Sequence, residues 1–195
     1  MRTAIVTTTI NVPTLLEYYI QDALAFGHRE VSFIIVADRK TPVAAKEFCN
    51  DLGGRYPYEI LFLGVDDQER YLSSYPELAI HLPYDSIQRR NIGILMAYQR
   101  GADLVITIDD DNFLAEPDFV RRHMLVGQTL EIETYNSPSG WINVCDFVTE
   151  ERGFRFYHRG FPLEARSLSP DGHPTVSTLK GRVVANAGFW LASRI

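Results

Sequence analysis

Cysteine is scarce in this sequence: Cys49 and Cys145 are the only two. They make no disulfide framework and have no metal-ligand spacing, so they read as buried reduced thiols. No apolar run approaches the roughly 18 residues of a membrane-spanning helix. The N-terminal MRTAIVTTTINVP also lacks the apolar segment of a signal peptide. The expectation is a cytoplasmic, soluble chain with no membrane insertion. Positive charge is short as well: 19 Lys and Arg face 25 Asp and Glu, a net of −6. That balance removes the general case for a nucleic-acid or anionic-membrane surface. An anionic ligand would need a local Arg or Lys cluster, or a metal ion. No repeat, low-complexity tract or linker divides the chain, so its 195 residues are expected to form one domain, 1–195.

What is present is an alternation of elements. TAIVTTT (3–9), VSFIIVA (31–37), YEILFLG (58–64) and DLVITI (103–108) are short, apolar and rich in β-branched residues, as buried strands are. Helix signals lie between them: Asn11 and Pro13 with a stop near Gly27, Pro42 to Leu52, and Asp85-Ser86 to Arg100 with a stop at Gly101. Residues 65–84 are turn-rich. EPDFVRRHMLVG (116–127) follows with Pro117 in its first turn. Strands alternating with helices predict a mostly parallel α/β sheet flanked by helices, with ligands at the carboxyl ends of the strands. After 130 the pieces become short and strand-like (WINVCDF, FRFYHRGF, RVVANAGFWL). They predict a nucleotide-binding half, 1–112, followed by a mixed-sheet half, 113–195.

The strand at 103–108 ends on three consecutive acids, Asp109, Asp110 and Asp111. Adjacent carboxylates raise one another's pKa unless a cation or donors intervene. In an extended chain Asp109 and Asp111 project to one side and Asp110 to the other. Two hard oxygen ligands at that spacing suit Mg²⁺ or Mn²⁺, which bind through one or two carboxylates plus substrate phosphates. An EF-hand is excluded, because Phe113 and Leu114 stand where an oxygen ligand and Gly belong. A solvated acidic turn is the bland alternative. The apolar strand before the acids, the strand-end position and a basic helix just upstream argue against it.

That upstream helix, SIQRRNIGILMAYQRG (86–101), has an apolar face through Ile87, Ile94, Leu95 and Tyr98, with Asn91 on the same face. Gly93 in its interior costs about 1 kcal/mol relative to Ala, which suggests close approach of another backbone. Arg89 reads as part of a solvated basic face, and Arg90 as facing a ligand anion.

These stretches carry a resemblance. RRNIG (89–93) on a helix, then a strand ending ITIDDDNF (106–113), with Asp38 closing the second strand, resembles the GT-A fold of nucleotide-sugar glycosyltransferases. More narrowly it is similar to the reversibly glycosylated polypeptide family, the UDP-arabinopyranose mutases. IVTTTINVPTLLEYY, NVCDF (143–147), RGFPLEAR (159–166), HPT (173–175) and GFWL (188–191) resemble further motifs of that family in the same order.

The resemblance implies a Rossmann-like GT-A domain and a metal-dependent enzyme acting on a nucleotide-sugar, with a UDP-sugar the leading expectation. Glycosyl transfer to an unidentified acceptor and sugar-ring mutase chemistry both follow from it. Asp109 would face the ribose or metal, Asp111 would bind Mn²⁺ or Mg²⁺, and Asp110 would stand behind them. Thr8, Thr9, Asp38, Arg90 and Asn91 would surround the nucleotide; Asp38 reads equally as a plain turn acid. Arg159 matches the Arg of the family's RG[YF]P motif, and diphosphate or leaving-group stabilisation suits its planar fork. Arg166 is a second diphosphate candidate, or a solvated surface Arg. Asp146 and Glu164 are the candidate general bases, with structural roles as the alternative.

Three departures qualify the match. The family's His before G-L-W-L is absent, leaving His158 and His173 as substitutes or as ordinary loop residues. Glu164 stands where the family has a small polar residue. The chain stops at Ile195, where acidic residues would follow, so a truncated acceptor side is expected. Sugar-nucleotide pyrophosphorylases open with a Gly-rich loop, and TTTINVPT has no Gly. A phosphatase of the haloacid dehalogenase type also uses D-x-D after an apolar strand. A non-catalytic nucleotide-sugar-binding subunit, in a homo- or hetero-oligomer, is the other alternative.

Overall fold

The computed structural model describes residues 1–137, 140–147, 155–166 and 175–186. The chain forms two compact units, one comprising Met1–Val126 and the other Gly127–Ala185.

The first unit is built on four parallel strands. β1 (Thr3–Thr9), β2 (Val31–Ala37), β3 (Glu59–Leu63) and β4 (Leu104–Asp109) lie in the order β3-β2-β1-β4. Both faces are covered, which is why β1 and β2 are buried along nearly their whole length instead of alternating between buried and exposed residues. α1 (Leu16–Ala25), α2 (Val43–Arg55) and α6 (Phe119–His123) pack with Ile5, Phe33, Ile35, Ile106 and Ile108 on one face. α3 (Val65–Leu72) and α5 (Arg90–Gln99) pack with Ala4, Val6, Ile34 and Val36 on the other. This is an α/β layer arrangement of the Rossmann-like kind. Chain direction reverses at β1, with β2 and β3 on one side of it and β4 on the other. Such a switch point opens a crevice at the strand ends.

Several elements differ from their sequence expectation. α1 begins at Leu16, because Asn11 and Pro13 go into a turn: the Asn11 N–H donates to Thr9 Oγ1 at 2.9 Å and Leu16 N–H to the Pro13 carbonyl at 3.0 Å. The turn-rich stretch contains α3 and the short α4 (Pro76–Ala79). α6 is shorter than Pro117 suggests. Asp118 takes a left-handed φ of 60°, and buried Asp22 accepts the Asp118 and Phe119 N–H groups, each at 2.9 Å. α5 ends as expected: Gly101 adopts φ 76°, and Ala102 N–H bonds to the Ala97 carbonyl at 3.0 Å, a left-handed cap.

The buried face of α5 is not the expected one. Ile87 and Asn91 are exposed and Tyr98 is 75% exposed, whereas Ile92, Gly93 and Ala97 face the core. Gly93 lies so near the sheet that a Cβ there would meet Val6 Cγ1 at 2.6 Å and Val36 Cγ2 at 3.0 Å. Close approach is therefore the reason for this glycine, and the neighbours are strand side chains rather than backbone. Cys49 is buried as expected, and burial pushes its thiol up to about 12, whereas Cys145, expected to be buried too, is only partly so.

The second unit contains a two-stranded antiparallel sheet rather than a mixed one: β5 (Thr129–Asn136) and β6 (Thr175–Arg182), in register from Thr129↔Arg182 to Asn136↔Thr175. Among the described residues the expected strands are absent. WINVCDF holds a 3-10 turn over Val144–Phe147, the described part of FRFYHRGF is non-strand, and RVVANAGFWL meets β6 only at Arg182. Its GFWL part, like His173, lies outside the described residues. A short helix, α7 (Leu163–Arg166), follows buried Phe161, whose ring packs near Trp141, Tyr157 and His158.

Among the described residues no helix is long and apolar enough to cross a membrane.

Candidate functional site at the strand ends

Register brings the candidate residues level. Thr8 lies beside Val36 of β2 and beside Asp109 of β4, and Thr9 lies beside Ala37. The carboxyl ends of β2, β1 and β4 thus open together on a pocket of about 340 Å³. That size is within the usual range of small-molecule sites, about 300–1,000 Å³. Thr8, Thr9, Asp38, Asp109, Asp110 and Asp111 all line it.

The three acids are placed differently from a simple extended chain. β4 ends at Asp109 and the chain turns: Asn112 N–H bonds to the Asp109 carbonyl at 3.2 Å, and Asn112 Oδ1 accepts the Asp109 N–H at 2.9 Å. Alternation stops there, so Asp110 does not point away but lines the same pocket, with Oδ2 2.5 Å from Thr9 Oγ1. Asp109 Oδ1 is ion-paired with Arg90 Nη2, which also reaches Thr8 Oγ1 at 3.4 Å. Asp111 is exposed. Repulsion among the acids is met by one guanidinium and one hydroxyl.

Asp38 does two things. Its carboxylate accepts Arg39 N–H at 2.8 Å and Ser86 N–H at 3.3 Å, tying the end of β2 to the segment before α5. It also lines the pocket, so the turn role and the pocket position coexist.

Sequence reasoning misjudged or missed other lining residues. Lys40, Asp85, Ser86, Ile87 and Arg89 line the pocket, from the ADRK turn and the helix-start signal at Asp85-Ser86. Both flank strand or helix ends, which was the available signal. Arg89 is not on a solvated face: it is 2% exposed. Arg90 and Asn91, both expected beside the ligand, are not among the lining residues: Arg90 is turned to Asp109 and Asn91 is exposed.

Arg159, Asp146, Glu164 and Arg166 all belong to the second unit. Asp146 is held by Arg155, Nε to Oδ1 at 3.0 Å and Nη2 to Oδ2 at 2.8 Å, and by Asn143 Nδ2 at 2.8 Å. The Arg155 bonds keep its carboxyl below the usual range, which weakens it as a proton acceptor. Arg166 stacks over Tyr157, 5.2 Å from the ring centroid. Arg159 and Glu164 are exposed. His158 Nδ1 lies 3.3 Å from Oδ1 of buried Asn143.

Among the described residues no group of three or more His, Cys, Asp or Glu side chains is arranged to hold a metal ion. The donor set at the strand ends fits an ion completed by ligand oxygens rather than an all-protein cage, with Asp109 and Asp111 both open to the pocket.

No family model matches the chain. No curated protein matches it either.

Proposed function

We propose that the chain is a metal-dependent enzyme acting on a nucleotide-sugar, with a UDP-sugar as substrate class and glycosyl transfer or sugar-ring mutase chemistry as the reaction. The observation that supports this reading is the convergence of Thr8, Thr9, Asp38 and the three acids on one pocket at the switch point of a parallel sheet. Ligands of open α/β sheets bind in that crevice. The GT-A resemblance of RRNIG and ITIDDDNF supplies the finer assignment.

In this reading Asp109 and Asp111 hold Mn²⁺ or Mg²⁺, which supplies positive charge against diphosphate oxygens. Thr8, Thr9 and Asp38 border the nucleoside. Arg90 orients Asp109 through their ion pair. Arg159 is the candidate for stabilising the leaving diphosphate, and Arg166 is engaged with Tyr157. Glu164 is preferred over Asp146 as general base, because Arg155 weakens Asp146.

The non-catalytic alternative, a nucleotide-sugar-binding subunit, draws support from the Arg90–Asp109 and Arg155–Asp146 pairs, which occupy two acids that chemistry would use. A haloacid dehalogenase type phosphatase is disfavoured by the same Arg90 contact, since it needs Asp109 as a free nucleophile.

Calorimetric titration of UDP with and without Mn²⁺, into wild type and Asp111→Ala, tests the proposal. Mn²⁺-dependent binding lost in the variant is expected, and UDP-sugar turnover then separates enzyme from binder. Absence of UDP binding under every condition overturns the reading.

A further inference from the structure

Among the described residues, one charge beside the pocket has no counter-charge. Arg89 lines the pocket yet is 2% exposed. Its Nε donates to Gln68 Oε1 at 2.7 Å and its Nη1 to the Leu82 carbonyl at 3.1 Å. The guanidinium lies over the Tyr84 ring, 4.1 Å from the centroid. Nη2 is buried and has no hydrogen-bond partner among the described residues.

The surrounding acids are committed elsewhere. Asp85 pairs with Arg39 and lies 4.0 Å from Lys40. Asp38 accepts the Arg39 and Ser86 N–H groups, and Asp109 is taken by Arg90. Gln68 is fully buried and fixed by donating to the Ala37 and Leu63 carbonyls at 2.7 and 2.8 Å. It can therefore present only a neutral oxygen to Arg89. A buried cation without an anion is costly, and a buried donor without a partner adds to the cost. A purely structural strut would be better served by Gln or Met.

We infer that Arg89 is the anion-binding group of this pocket, taking a phosphoryl or carboxylate oxygen of the ligand on its unpartnered Nη2. Gln68 ties Arg89 to the β2 end of the pocket, where Asp38 is also found, whereas Asp109, Asp110 and Asp111 stand at the β4 end, with β1 between. Strands are spaced about 4.8 Å apart, so the two ends are roughly 10 Å from one another. The pocket is therefore polarised, and it suits a ligand with an oxyanion at one end and a cation-coordinating or hydroxyl-bearing group at the other. This holds whether or not that ligand is a nucleotide.

The test uses inorganic phosphate, pyrophosphate and acetate at constant ionic strength without divalent metal. Thermal shift and calorimetry would be read on wild type, Arg89→Lys, Arg89→Met, Lys46→Ala and Ile87→Asp. Wild type is expected to bind at least one anion. Loss of charge-assisted bonds of this kind weakens binding by about tenfold or more, so that is expected in Arg89→Lys and near-complete loss in Arg89→Met. Lys46→Ala, at an exposed cation of α2 that does not line the pocket, should retain binding within about threefold, since a surface cation contributes little. Ile87→Asp, at an exposed lining position, should weaken it without touching the core, which keeps the test decisive if Arg89→Met does not fold. Wild type that binds none of the three anions overturns the inference. So does Lys46→Ala losing as much as the Arg89 variants, or Ile87→Asp binding like wild type. Arg89-dependent pyrophosphate binding without UDP binding would remove the nucleotide reading and leave this one standing.

Discussion

The two compact units satisfy their backbones alike and bury their side chains in opposite ways. In the first, β1 and β2 run through the middle of the sheet, and Val6, Phe33, Ile34, Ile35 and Val36 are fully buried. In the second, among the described residues, β5 and β6 pair only with each other, and Leu179 is 59% and Val176 56% exposed. Both ladders are well formed, so hydrogen bonding does not distinguish them; apolar burial does. A two-stranded ribbon alone is marginal in water. Stability therefore resides in the parallel sheet, which is also the element that carries the pocket.

Truncation at matched apolar positions breaks the comparison most sharply. Phe33→Ala is expected to cost about 3–5 kcal/mol, and Leu179→Ala no more than about 0.5 kcal/mol, both read from urea midpoints. Equal losses would mean that the ribbon is as well packed as the sheet. Gly93→Ala probes the tightest contact of the first unit. Overpacking costs about 1–3 kcal/mol and the helix regains about 1 kcal/mol, so net destabilisation of about 1 kcal/mol is expected. A more stable variant would place α5 farther from the strands.

Asp22→Ala removes the side chain that receives the first N–H groups of α6, at an expected cost of about 1 kcal/mol in thermal unfolding. Asp22→Asn, which keeps an oxygen there, should lose less. The smallest effect concerns His123, packed edge-on against Phe119 at 4.7 Å. Burial lowers its pKa from the ordinary 6.5, so as pH falls the unfolded chain takes up the proton first. Its contribution is fully present above about pH 6.5 and is lost as pH drops through the lower folded value. His123→Phe should flatten the decline of stability with acid; an unchanged slope would assign that decline to other groups.

The same contrast explains what the sequence disclosed. β1 and β2 matched TAIVTTT and VSFIIVA to the residue, because strands buried on both faces are marked by continuous β-branched runs. TLEIETYN and TVSTLKGR carry only weak alternation, since neither face of the ribbon is deeply buried, and they passed unnoticed. The face of α5 was misdrawn for two reasons. Ile87–Arg89 form a 3-10 turn, which changes the angular step ahead of the helix. The buried stripe also contains Gly93 and Ala97, small residues that a search for bulky apolar positions overlooks. The acids, the threonines and Asp38 were legible as pocket residues because strand ends are where such sheets hold ligands. Arg89 was not, because its surroundings, Gln68, Leu82 and Tyr84, come together only in three dimensions.

The Arg90–Asp109 pair has a consequence for competition. Arg90 is a counter-ion on a tether, and a tethered partner acts at an effective concentration of millimolar order or above, set by the fold and not by the solution. A free cation taking Asp109 Oδ1 alone must displace that guanidinium and leave it without an anion, with its Nε already unpartnered among the described residues. A cation arriving together with an oxyanion offers Arg90 a replacement at the same moment. Under the proposed metal-dependent reading, exchange of this kind disfavours loading by the bare ion and links occupancy at Asp109 to the presence of an anionic ligand.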